Sequence, residues 1–143
     1  MLRIHFQKHT HMTLFSKIIA GEIPSYKIAE DDRFFAFLDV FPLRTGHVLV
    51  VPKVEVDNLF DLEPEYLSGI LTFAQPIAKA IERAFACNRC GISVIGLEVP
   101  HAHVHLVPIN NSNDLNFTQS KPRATDEALQ KVQQRIVAEL NRG

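Results

Sequence analysis

Residues 100–108 read PHAHVHLVP, with His101, His103 and His105 at every second position. A period of two belongs to an extended strand, where successive side chains point to opposite faces. The three imidazoles then share one face, about 6.5–7 Å apart between neighbours. Ala102, Val104 and Leu106 share the other face and are all apolar. The apolar face must pack on something, and a long helix is the natural cover. The histidine face must look into a polar cleft, because three imidazoles are hard to satisfy in an oily interior.

Working outward, CGISVIGLEVPHAHVHLVPI (residues 90–109) gives two strands with Gly96 between them. Upstream, RTGHVLVVPK (44–53) is a strand opened by Gly46 and closed by Pro52. Its apolar, β-branched run Val48–Val51 suits an inner position. SYKIAEDDRFFAFLDVFP (25–42) reads as a hairpin turning at Glu30–Asp32, with Tyr26, Ile28, Phe35 and Phe37 in alternation. LFSKIIAGEIP (14–24) is a short helix ended by Gly21 and Pro24. LEPEYLSGILTFAQPIAKAIERAFA (62–86) is a long helix begun by Pro64, and Pro76 inside it should kink or split it. The last helix is capped by Thr125, with Asp126 and Glu127 in its first turn and Leu129, Val132, Ile136 and Leu140 as its apolar stripe. This order predicts a single α+β domain: a five-stranded antiparallel sheet packed with helices.

Composition narrows the function. The chain has 143 residues, 46% of them hydrophobic, which is enough for one domain with its own core. Its formal net charge of −1 gives no reason to expect a nucleic-acid partner. No apolar run approaches the roughly 20 residues that span a bilayer, so no membrane partner is expected. The polar start MLRIHFQKHTHM is no signal peptide, and a cytoplasmic location is the expectation. Residues 1–12, with His5, His9 and His11, read as a flexible extension before a domain over 13–143. Cys87 and Cys90 form half of a zinc pattern with no second pair, and two reduced thiols are expected.

Three uses for the histidine row remain open on chemistry alone. The rings could be structural and satisfied. They could hold zinc with a water as fourth ligand, although three same-face positions on one strand spread the nitrogens widely. One could be a nucleophile: neutral imidazole exists near pH 7, attacks phosphorus well, and can be flanked by donors for the phosphate oxygens.

At this point the chain resembles the histidine triad family of nucleotide-binding hydrolases and transferases. The resemblance rests on HAHVHLVP, on FLDVFPLRTGHVLVVPK (37–53) and on LFSKIIAGEIPSYKIAEDD (14–32), and it covers roughly residues 13 to 109. It implies a purine nucleotide substrate, with His103 as nucleophile on the α-phosphate and His105 assisting the phosphate and leaving group. His101 would support the nucleophile and His47 would complete the catalytic set. Asp39 would bind the ribose hydroxyls, while Phe15, Ile18, Phe37 and Val40 would sandwich the base. Gly96, Glu98 and Val99 would lie along the phosphates. A homodimer with sheets joined across the interface is implied too, and no cofactor.

The departures are informative. Relatives with a structural zinc have Cys-x-x-Cys where this chain has Thr13 and Ser16, and a histidine where it has Glu55, so no structural metal is expected. In the loop before the triad, Leu97 replaces a glutamine and Glu98 a small polar residue. Glu98 near phosphates is unfavourable unless it points away or meets a cation, with Lys53 and Arg44 as the candidates. Two rivals follow: a metallohydrolase using the triad as ligands, and a nucleotide-binding module without turnover.

Overall fold

The structure is a computed structural model that describes residues 12–143. The expected extension, with His5, His9 and His11, lies outside the described residues apart from Met12. Helix α1 spans Leu14–Ile19, started by the Thr13 hydroxyl, which accepts the Ser16 N–H, and followed by Gly21 at φ +82°. Strands β1 (Lys27–Glu30) and β2 (Phe34–Leu38) form the hairpin, and β3 (Val48–Pro52) follows. Helix α2 spans Pro64–Ala84. Strands β4 (Arg89–Ser93) and β5 (Val104–Ile109) come next, and helix α3 (Asp126–Arg142) closes the chain. All pairings are antiparallel, in the order β1-β2-β3-β5-β4. The α+β domain read from the sequence is the one observed.

Every residue of β2 and β3 is buried, because both faces of the sheet are covered. Phe34, Ala36, Leu38, Val48, Val50, Val104 and Leu106 pack against α2 and against Leu129 and Ile136 of α3. On the opposite face Phe35, Phe37, Leu49 and Val51 pack against Phe15 and Ile18 of α1. The apolar face of the histidine segment does lie under the long helix.

Two expectations need correction. Helix α2 is not split: it runs through Pro76, where Ala74, Ile77, Ala80 and Ile81 hold it on the sheet and offset the one missing N–H. Only His105 lies within a regular strand, since β5 begins at Val104. The register sets Val104 opposite Val50, so continuing it would bring Ala102 opposite Pro52, which has no N–H. The ladder stops there, and the Ala102 N–H turns to the Val56 carbonyl (2.7 Å).

Candidate active site

His47, His101, His103 and His105 are all buried, with only 1%, 0%, 7% and 7% exposed. The expected open cleft is therefore a packed histidine cluster, and its hydrogen-bond partners assign each ring. A carbonyl can only accept and a backbone N–H can only donate. His47 Nδ1 accepts the Leu43 N–H (3.0 Å), so its proton is on Nε2, which donates to His105 Nδ1 (2.9 Å). His105 then carries its own proton on Nε2. His103 Nδ1 donates to the His101 carbonyl (2.7 Å), leaving a lone pair on Nε2. His101 Nε2 donates to the Pro52 carbonyl (2.8 Å), so its Nδ1 accepts the Thr13 hydroxyl (2.7 Å).

Two ring nitrogens are left over: the His103 Nε2 lone pair and the His105 Nε2–H. Neither is sealed away, because no fully buried side-chain nitrogen or oxygen among the described residues lacks a partner. The two rings stand 4.9 Å apart between centroids, edge to face. The site thus offers one nucleophilic nitrogen beside one N–H donor.

Burial, with the charges of Lys121 and His103, pushes His47 down to about 3. Burial, then His47, His103 and Lys121, pushes His105 to about 3 as well. Both rings are neutral at neutral pH. His101 is lowered by burial. Asp39 is raised by burial, against the Phe41 N–H and the charge of Lys121, while the charge of Glu98 adds to the rise. One oxygen of Asp39 accepts the Phe41 N–H (2.8 Å) in a local turn, and the other lies 3.6 Å from His47 Nε2.

Phe15, Ile18 and Phe37 come together on the α1 face, with Phe15 edge-on to His103 at 5.0 Å. Val99 packs against the same cluster. Val40 does not join them, packing instead on the α2 face. Gly96 takes φ +71° at the head of the loop, and Glu98 is exposed at its far end. The two cations expected to balance Glu98 are engaged elsewhere: Arg44 pairs with Asp114, and Lys53 with Glu30 at 2.6 Å.

Two neighbours of the site carry no short-range sequence signal. The Phe117 ring lies 4.6 Å from His105 and 6.2 Å from His47, edge to face. Lys121 lies over that ring, its ammonium 5.5 Å from the centroid.

The metal readings can be tested on donor chemistry. The triad does not converge on one ion, since both nitrogens of His101 are engaged with Pro52 and Thr13. The group that does bring ligand atoms within 4.8 Å of one another is Asp39, His47 and His105, and an ion there would break the His47–His105 bond. The positions compared with a structural zinc site also meet: the Thr13 N–H donates to Glu55 (2.6 Å), and the Thr13 hydroxyl joins Ser16 and His101. Burial would raise the Glu55 carboxyl, but hydrogen bonds from Thr13 and Ser16 hold it below the usual range. Two hydroxyls, one carboxylate and one imidazole make a poor zinc set, and the cluster is already satisfied by hydrogen bonds. Cys90 offers no reactive thiolate, because burial and Glu82 push it up to about 12.

Comparison with known proteins gives a consistent picture. The HIT domain family model matches residues 20–112. Adenosine 5'-monophosphoramidase HNT1 of Saccharomyces cerevisiae is 33% identical over 89% of this chain and 82% of its own. Protein hit of Bacillus subtilis is 33% identical over 89% and 93%. Among solved structures, a Hit-like protein from Bartonella henselae superposes with TM-score 0.79 at 31% identity, covering 89% of this chain and 95% of its own. A zinc-bound histidine triad family protein from Mycobacterium smegmatis gives 0.77 at 29% identity, covering 90% and 93%.

Proposed function

The chain belongs to the histidine triad (HIT domain) family, and from that premise we propose that it hydrolyses purine nucleoside 5'-monophosphate conjugates through a nucleotidyl-histidine on His103. The observation that carries this reading is the pair of unspent nitrogens, the His103 lone pair and the His105 N–H. His103 Nε2 attacks the α-phosphorus. The new P–N bond forms as the bond to the leaving group breaks, and the leaving group departs with the electron pair and a proton from solvent. The His101 carbonyl, 2.7 Å from Nδ1, steadies the positive charge that develops on the ring. His105 Nε2–H donates to a phosphate oxygen or the leaving atom, and His47 fixes the His105 tautomer from behind. Water then attacks phosphorus, the P–N bond breaks, and a proton returns to solvent.

In this reading Asp39 accepts ribose hydroxyls through the oxygen that its turn leaves free, and Phe15, Ile18 and Phe37 hold the base, while Val40, on the other face, takes no part. The name of the yeast relative favours a phosphoramidate, and a dinucleoside polyphosphate is the other substrate class. No helix among the described residues is long and apolar enough to cross a membrane. A cytoplasmic, homodimeric enzyme paired along β4 completes the proposal.

The test is His103→Ala against adenosine 5'-monophosphoramidate and a dinucleoside polyphosphate. Hydrolysis is expected to fall by at least about a thousandfold, in keeping with loss of a covalent nucleophile. Mass spectrometry of trapped wild type should place the nucleotide on His103. Unchanged hydrolysis in the variant defeats the assignment. A wild type that binds AMP and turns over neither substrate is a binding module instead.

A further inference from the structure

A nucleotide brings negative charge to a site whose own balance is unfavourable. Asp39 and Glu98 face it with carboxylates, His47 and His105 are neutral, and Arg44 and Lys53 are paired elsewhere. A further cation is needed, because a phosphate held by neutral donors beside two carboxylates is poorly compensated. Lys121 is placed to supply it. Its charge bears on Asp39, His47 and His105 together, and among the described residues its ammonium forms no ion pair. Among the described residues its one hydrogen bond is to the Phe117 carbonyl (3.1 Å), which leaves two N–H donors unspent. The ammonium lies 5.5 Å from the centroid of the Phe117 ring, which stands 4.6 Å from His105. The ammonium and the His105 ring thus border the same aromatic ring, so a substrate whose first phosphate meets His103 and His105 can extend its next group toward Lys121.

We propose that Lys121 is a substrate-binding residue that holds the phosphate next to the α-phosphate, so that the site prefers nucleotides carrying a second phosphate. This deepens the nucleotide reading above and rests on it. Phe117 sets the distance by propping the lysine stem off the histidines.

The experiment is calorimetric titration of the full chain with AMP and with ADP, without divalent cations, for wild type, Lys121→Met and Lys121→Arg. Binding requires no turnover, so it separates this proposal from catalysis. Wild type should bind ADP at least about fivefold more tightly than AMP, the size expected of one partly exposed ion pair. Lys121→Met keeps the stem over Phe117 and should erase that margin with AMP affinity held within about twofold, while Lys121→Arg should keep it. Equal affinities in wild type, or equal weakening of both ligands in Lys121→Met, overturn the proposal and leave the nucleotide site standing. If wild type binds neither ligand, the nucleotide reading itself is wrong and the proposal falls with it.

Discussion

Each site histidine has its tautomer decided at the nitrogen that faces away from the cluster's free edge. Leu43, Pro52 and the His101 carbonyl are backbone groups that fix His47, His101 and His103, while His105 takes its tautomer from the His47 ring. Neutrality of the inner pair has a thermodynamic consequence. His47 and His105 drop from the ordinary 6.5 to about 3 in the folded state. Between those values the unfolded chain binds protons that the folded chain refuses, so stability is full above pH 6.5 and declines as pH falls. At pH 5 the loss is about 2 kcal/mol for each ring. Urea midpoints measured at pH 8, 6 and 5 should fall steadily, with a shallower fall in His105→Gln. A flat wild-type midpoint across that range would rule the explanation out. At this scale the histidines were legible because their spacing is local. Lys121 was not: one cation among 15 reaches the site only through a loop that carries no periodic pattern.

At the scale of elements, the turn into β3 does more than reverse the chain. Gly46 sits at φ +104°, which side chains rarely adopt, and a Cβ there would meet two ring carbons of Phe85 at 2.8 Å. Its neighbour His47 donates its backbone N–H to the Arg44 carbonyl (3.1 Å), and its carbonyl accepts the Asp39 N–H (3.0 Å), so strain at Gly46 passes straight to both residues. Gly46→Ala should cost about 1–3 kcal/mol of stability and lower hydrolysis more than it lowers AMP affinity, because His47 orients His105. A variant that melts with wild type and keeps full activity would show the turn to be permissive. The hairpin, β3, the capped last helix and the long helix were all readable from period and punctuation. Pro76 does not split the long helix, because a helix pressed on a sheet by Ile77 and Ile81 tolerates one lost hydrogen bond. The histidine strand was drawn too long because its end is set by Pro52, on a paired strand distant in sequence.

For the whole molecule, the sheet ends on one side at β4, and that edge is apolar. Ile92 is 49% exposed and Val94, Ile95 and Leu97 follow it at 43%, 46% and 88%. Ile92 lies on β4 and the other three just beyond it, and a sheet edge with exposed apolar side chains and no covering element among the described residues pairs readily with another strand. A second copy presenting the same edge satisfies it by two-fold symmetry. The edge also runs into the site: the chain leaves β4, turns at Gly96, and passes through Glu98, whose charge reaches Asp39, to Val99, which packs with the Phe15 cluster. Pairing along β4 would therefore order the loop that, in the proposed reading, flanks the phosphates. Sedimentation of wild type should give twice 16.2 kDa, and Val94→Lys with Ile95→Lys should give the monomer. Both positions are exposed, so the variant should keep its fold by circular dichroism. Its loss should appear as a higher KM with kcat less affected, because in the proposed reading the reacting histidines lie at and beside the starts of β3 and β5 while the loop holds substrate. A wild type that sediments as a monomer at micromolar concentration would assign the apolar edge another role, and a monomeric variant with unchanged KM would uncouple the edge from the site.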